Sequence, residues 1–294
     1  MMGVWFHALR PKTLVASVAP VVLATALVGV DHTIHWPTFA LTLLCAMLIQ
    51  VASNFINEIE DARRGADTAA RLGARRAVAS GLISARAMSI ASIGVILAAF
   101  LLGLPLVARA GWQVLAIGVL CLVMSWMYTG GPFPLAYKGL GDVFAFVFFG
   151  VIAVVGAVFV QTSQWSAEAL LLSCIPGLFA ANILGVNNIR DIETDAIAGK
   201  RTMAVRLGAA PARAIYIVFT CIAVIVVPFA LHMMRGPWLL LPWCAIPVAT
   251  WVVLGVVRST GSRLNRSLAQ TAMLYMICMI LTVMGYAITA QQQP

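Results

Sequence analysis

The sequence predicts an all-α integral membrane protein, a bundle of nine transmembrane helices forming a single domain over residues 1–294. Three observations predict it. The chain is 62% hydrophobic with a mean hydropathy of +0.98, far above the roughly half-apolar composition of soluble domains. Its apolar runs are long enough to cross a bilayer core about 30 Å thick, which takes roughly 20 helical residues. Its charged residues, 10% of the chain, gather in short breaks between those runs.

Hydropathy places the spans at 13–30, 38–57, 86–107, 112–128, 142–161, 169–188, 213–232, 237–257 and 267–289. The first follows MMGVWFHALRPK, which is similar to a signal n-region. It lacks a small-residue cleavage site and enters a run long enough to cross, so the segment is expected to be retained. Nine crossings put the termini on opposite faces. Of the 19 lysines and arginines, all but Arg109 and Arg235 fall on the N-terminal face, which the positive-inside rule makes cytoplasmic. The loops of the other face each carry a tryptophan, Trp36, Trp112, Trp165 and Trp238, as an aromatic belt requires. The expected location is the cell (inner) membrane, with the C-terminus opposite the cytoplasm.

The net charge of +9 is topological, since no basic helix with interleaved aromatics of the nucleic-acid-binding kind occurs. The six cysteines lie inside apolar spans without CxxC spacing and read as buried small hydrophobes. The four histidines, at span ends, are assigned no role.

The acids are more concentrated than the bases. Glu58, Glu60, Asp61 and Asp67 follow the second span, and Asp191, Glu193 and Asp195 follow the sixth. If those helices run about a turn past the membrane, Glu58 and Asp61 share one face and Asp191 and Asp195 another, with Asn54 and Asn187 a turn before them. Both loops also contain RLGA, at 71–74 and 206–209, which suggests a weak internal repeat. Like charges so spaced repel and call for a cation between them. Carboxylate and amide oxygens without His or Cys select a hard one such as Mg²⁺, whose shell is completed by water and phosphate oxygens. Arg63, Arg64, Lys138, Arg190, Lys200 and Arg201 supply donors for those phosphates, so the pattern describes a diphosphate site. Glu60, Glu193, Arg75 and Arg76 read as solvated or topogenic charge. The prolines and glycines of YTGGPFPLAYKGLGD, 128–142, break the fourth helix and make a tight re-entrant loop that holds Tyr128, Tyr137 and Lys138 at the cytoplasmic edge.

At these residues the chain resembles the UbiA-type membrane prenyltransferase superfamily, and within it the 1,4-dihydroxy-2-naphthoate polyprenyltransferase branch. The matching stretches are RPKTL at 10–14, NFINEIEDARRGADT at 54–68, RLG at 71–73, SGLIS at 80–84, YTGGPFPLAYKGLGD at 128–142 and NNIRDIETDAIAGKRTMAVRLG at 187–208. The resemblance implies nine helices around a cytoplasmic-side polar cavity and Mg²⁺-dependent transfer of a polyprenyl chain. It makes Asp61, Asp191 and Asp195 catalytic, with Asn54, Glu58 and Asn187 joining them around metal. It assigns Arg63, Lys138, Arg190, Lys200 and Arg201 to diphosphate, and Asn57, Asp67, Tyr128, Tyr137 and Asn188 to the acceptor or cavity wall. Asn57, Glu58 and Asp61 occupy the family's N-D-x-x-D positions. Glu58 replaces the usual Asp, so its contact with metal is direct or through water; Lys138 serves diphosphate or the acceptor carboxylate.

The implied partners are a polyprenyl diphosphate, an aromatic acid acceptor and membrane lipid. The implied reaction joins the prenyl group to 1,4-dihydroxy-2-naphthoate with loss of CO₂ and diphosphate. A 4-hydroxybenzoate or other phenolic acceptor is the nearer alternative, and a secondary transporter, whose sites lie near the bilayer midplane, the more distant one.

Overall fold

The computed structural model describes residues 2–65 and 76–292, and among them there are helices and turns but no strands. A short helix α1 (Met2–Leu9) leads into α2 (Pro11–Asp31), α3 (Trp36–Arg63), α4 (Ala85–Ala110) and α5 (Trp112–Met127). A 3₁₀ turn at Leu135–Lys138 precedes α6 (Gly141–Phe146), which continues through a π-helical segment (Val147–Ile152) into α7 (Ala153–Thr162) as one rod. Then come α8 (Ala167–Arg190), α9 (Ile192–Ile197) and α10 (Met203–Leu207). The next rod is α11 (Ala209–Cys221), a second π segment and α12 (Val227–Arg235). A 3₁₀ stretch (Pro237–Ala245) opens the rod completed by α13 (Ile246–Arg258), and α14 (Leu264–Gln291) ends the bundle.

Eight of these rods are long and apolar enough to cross a membrane. The predicted fourth span forms as α5 but has only 16 residues, because Gly111 at φ 89° starts it and the glycine- and proline-rich turn after Tyr128 stops it. The eighth span begins as 3₁₀ rather than α, since Pro237 and Pro242 remove donors from the ladder. Helix α3 runs past the predicted 57 to Arg63, the extra turn on which the acidic pair was expected to ride. Cysteine burial departs from expectation: only Cys278 is buried, whereas Cys221 and Cys244 face outward on the apolar exterior.

Helix α8 lies at the centre of the bundle, packed against α6, α7, α11, α12 and α14, and is the most buried of the long rods at 67%. Where it meets the α6–α7 rod, two glycines let the backbones approach. A Cβ on Gly150 would sit 2.6 Å from the Ser173 carbonyl oxygen, and one on Gly177 2.8 Å from that of Phe146. Apolar burial gives helices no advantage over lipid, so such small-residue contacts and interhelical hydrogen bonds hold spans together.

Charge closes the end of the bundle opposite the acidic motifs. Arg235, ending α12, grips Glu168 at the start of α8 through Nε at 2.9 Å and Nη2 at 2.8 Å, and reaches Asp31 at the end of α2 through Nη1 at 2.9 Å. The buried Tyr286 of α14 donates to Glu168 Oε1 at 2.9 Å. One guanidinium thus ties three helix ends. Arg235→Ala is expected to cost about 2–4 kcal/mol, between the surface and buried limits for a broken ion pair. Asp31→Asn, at the more exposed partner, is expected to cost under about 1 kcal/mol, both read from thermal unfolding in detergent.

Candidate active site

The first acidic motif is held from three directions. Asn54, buried on α3, donates through Nδ2 to the Leu9 carbonyl at 2.9 Å and to Thr13 Oγ1 at 3.0 Å, and so straddles the corner between α1 and α2. At that corner Arg10 adopts a left-handed φ of 51°, and its guanidinium reaches Glu58 Oε1 at 3.1 Å. Arg76 reaches the same oxygen at 3.2 Å, and the Val78 N–H donates to Oε2 at 3.4 Å. Asp61, a turn later, accepts from the Tyr137 hydroxyl at 2.8 Å and lies 3.7 Å from Arg76 Nη2. Glu58 and Asp61 are 2% and 3% exposed. Carboxylates that dry require such partners. Arg76 is therefore no solvated loop charge, as its sequence context suggested, but a largely covered counter-ion to both acids.

The turn after α5 joins this motif to the second. Thr129 donates to Asn57 Oδ1 at 2.6 Å, and the Ala136 N–H returns to the Tyr128 carbonyl at 2.9 Å, closing the turn. The Tyr137 ring lies between Arg64, 5.1 Å from its centroid, and Lys200, 5.4 Å from it, both cation–π contacts. The Arg201 N–H donates to the Tyr137 carbonyl at 3.1 Å, and Arg206 to that of Lys138 at 2.8 Å. Gly139 sits at φ 73°, and a Cβ there would meet the Arg201 carbonyl oxygen at 2.7 Å, so only glycine allows this crossing. Lys138 extends over Phe133, and the exposed Arg63 turns away to the half-buried Glu60 at 3.0 Å.

The second motif differs from a simple helical pair. Helix α8 ends at Arg190, Asp191 leaves helical geometry at ψ 13°, and α9 restarts at Ile192. The i,i+4 link survives as Asp195 N–H to the Asp191 carbonyl at 2.8 Å. Arg190 binds Asp191 with Nε to Oδ1 at 2.7 Å and Nη2 to Oδ2 at 2.5 Å, while its Nη1 bonds Asn265 Oδ1 at 2.7 Å. Asn187 turns back to the Ile183 carbonyl at 3.1 Å. Asp61, Asp142 and Asp195, with Arg10, lie close enough for their charges to act on the Tyr128 hydroxyl. One acid of each motif, Asp61 and Asp195, thus lies near this tyrosine.

Two cavities adjoin the site. One of about 180 Å³ is apolar and runs among α2, α3, α5 and the α6–α7 rod, past Phe144, Phe148 and Phe149. Its polar rim includes Ser53 and Ser125, a turn below Asn57 and Thr129. Tyr128, Phe144 and Phe148 form a ladder along it, with centroids 5.0 and 4.2 Å apart. The other, about 20 Å³ and thus the size of one water, is lined by Asn182, Asn188 and Asp142, whose buried Oδ2 has no hydrogen-bond partner.

The site therefore includes Arg10, Arg76, Asp142 and Asn265 beyond the residues expected of it, and Arg64 stands among those expected. RPKTL and GLGD lay inside motifs already noted, but nothing in their spacing says which carboxylate Arg10 meets or that Asp142 is buried. Asp67 and the first RLGA lie outside the described residues. The donor set, carboxylate oxygens without His or Cys, suits a hard divalent ion. Among the described residues no three His, Cys, Asp or Glu come together.

Comparison with known proteins agrees with this geometry. The chain is 35% identical over 255 residues to the 1,4-dihydroxy-2-naphthoate octaprenyltransferase of Mycobacterium tuberculosis, covering 87% of this chain and 86% of that one. It is also 35% identical to the protein of the same name from Escherichia coli, over 81% and 80% of the two chains. The fold matches a UbiA homolog from Archaeoglobus fulgidus bound to DMAPP and Mg²⁺ with a TM-score of 0.72 at 15% identity, over 98% of this chain and 99% of that one. The UbiA prenyltransferase family matches residues 17–277, and this multi-pass membrane chain belongs to it.

Proposed function

We propose that the protein transfers a polyprenyl group from its diphosphate to 1,4-dihydroxy-2-naphthoate, releasing CO₂ and diphosphate, in menaquinone biosynthesis. The observation that carries this is Tyr137, which takes Asp61 and Arg64 of the first motif and Lys200 and Arg201 beside the second, next to an aromatic-lined apolar cavity. Acceptor identity rests on the relatives named above, which are naphthoate octaprenyltransferases over most of their length.

Glu58, Asp61, Asp191 and Asp195 would hold Mg²⁺, which when bound supplies Lewis acidity to the leaving diphosphate. Arg64, Lys138, Lys200 and Arg201 border the same space and offer donors to phosphate oxygens as the allylic C–O bond breaks. The prenyl chain lies in the apolar cavity, where the Tyr128–Phe144–Phe148 faces stabilise the allylic cation and the apolar walls exclude water. The acceptor ring enters from the Asn57 and Tyr128 side. Asn54 acts by fixing the corner that aims Arg10. The whole chain forms one catalytic domain.

The membrane arrangement follows. Helix α5, about 24 Å long at 1.5 Å per residue, is the fourth crossing and brings the total to nine, its shortfall met by local thinning of the bilayer. The site then opens to the cytoplasm, where the positive-inside rule puts the N-terminus of a cell-membrane enzyme.

Purified protein given Mg²⁺, a polyprenyl diphosphate and one acceptor at a time is expected to yield prenylated product by mass spectrometry with dihydroxynaphthoate and none with 4-hydroxybenzoate. The reverse result overturns the acceptor assignment. Asp61→Asn and Asp191→Asn, matched for protein amount, are each expected to lose at least about 100-fold in transfer rate; near wild-type turnover in both would sink the diphosphate site. Tyr137→Phe keeps the ring for Arg64 and Lys200 but removes the donor to Asp61. It is expected to lose about tenfold in rate, the equivalent of one hydrogen bond of about 1.4 kcal/mol.

A further inference from the structure

Arginines of the chain itself close both acidic motifs. Glu58 meets Arg10 at 3.1 Å and Arg76 at 3.2 Å, Arg76 spans to Asp61 at 3.7 Å, and Arg190 engages both oxygens of Asp191. These side chains see little water: those of Arg76 and Arg190 are 11% and 5% exposed. A divalent ion that takes the carboxylate oxygens must displace at least one of them. A guanidinium displaced in so little water is stabilised by a further anion, because a charge taken from water is costly unless it is paired. Diphosphate offers that anion, with oxygens that suit the planar fork of Arg. Diphosphate alone fares no better, since the arginines are engaged and the carboxylates repel it.

We infer that Arg76 and Arg190 are internal counter-cations that exchange partners on substrate binding. They leave Glu58, Asp61 and Asp191 for diphosphate oxygens as a divalent ion takes the carboxylates, so metal and diphosphate bind as a unit and neither binds well alone. The inference rests on the diphosphate-site assignment above and assigns these two arginines a part in each of its two states. Asn265, bonded to Arg190 Nη1 at 2.7 Å, is the pivot that keeps that side chain at the site while Nε and Nη2 change partner. The coupling must be reciprocal: whatever factor diphosphate contributes to metal affinity, metal contributes to diphosphate affinity.

The test is Mn²⁺ binding to the purified full-length protein, followed by electron paramagnetic resonance and compared with binding of the preformed complex of Mn²⁺ with inorganic diphosphate. Wild type is expected to bind the complex at least about tenfold more tightly than the free ion, within the usual range of coupling between sites. Arg76→Gln and Arg190→Gln are each expected to shift the two affinities in opposite directions. Free Mn²⁺ should bind several-fold more tightly, because its competitor is gone, and the complex several-fold more weakly, because a phosphate donor is gone. Arg76→Lys, which keeps the charge, should restore the wild-type order. A role in fold alone would weaken both affinities together. Variants whose free-ion affinity stays equal or falls would overturn the inference, and so would wild type binding free Mn²⁺ as tightly as the complex, a comparison that needs no variant. Should Asp61→Asn and Asp191→Asn bind the complex as wild type does, the diphosphate site itself is misplaced.

Discussion

A carboxylate at the edge of a bilayer persists only where cations and hydrogen-bond donors meet it, and the architecture is organised around that requirement. Glu58 and Asp61 are almost dry, so three separate segments come to them: the α1–α2 corner through Arg10, the chain at 76–78 through Arg76 and the Val78 N–H, and the post-α5 turn through Tyr137. Asn54, on the same helix, fixes the first of these by holding Leu9 and Thr13. The far end meets the same requirement differently, with one arginine shared between Asp31 and Glu168. There the pairing ties helix ends together. At the acidic motifs arginines engage both acid pairs at the mouth of a cavity, which turns a folding requirement into a binding site.

Helix packing decides that the two motifs meet. The Gly150–Gly177 contact lets the α6–α7 rod lie close on α8, and a π segment falls at that contact, as such segments often do near functional sites. One rod end then presents Asp142, and the other presents Asn188, Arg190 and the break at Asp191. Tyr137, reached by residues of both motifs, is the keystone of the cap. Its hydroxyl serves Asp61, its ring Arg64 and Lys200, and its carbonyl the Arg201 N–H. Below it the aromatic ladder begins, so the polar cap and the apolar cavity are separated by about one helical turn.

Much of this was legible in the sequence because lipid imposes strong local rules. Apolar runs near 20 residues mark spans, and eight of the nine appear as rods long enough to cross. The spacing of the first acid pair called for a helix running past its span, and α3 does carry Glu58 and Asp61 past it. The exceptions share a cause. Arg76 looked like a solvated loop charge because exposure is set by what folds over a residue. Asp142 drew no notice beside the richer acidic loops, although its Oδ2 is buried without a partner. Arg63 looked as able as Arg64 to reach the site, but one residue along a helix turns a side chain by about 100°, which sends Arg63 to Glu60 and Arg64 to Tyr137.

The sequence by itself determined the class of protein, the order of the spans, the residue types available for chemistry and the family resemblance, because hydropathy, charge distribution and motif spacing are local properties of the chain. Tertiary structure alone decided which charges meet. Arg10 and Glu58 are 48 residues apart, Tyr137 and Asp61 76, and Arg235 and Asp31 204, and no local rule links positions so distant. Those pairings exist because helices fixed by lipid can present their buried charges only at their ends, where each must find an opposite charge or a donor from whichever segment packing brings there.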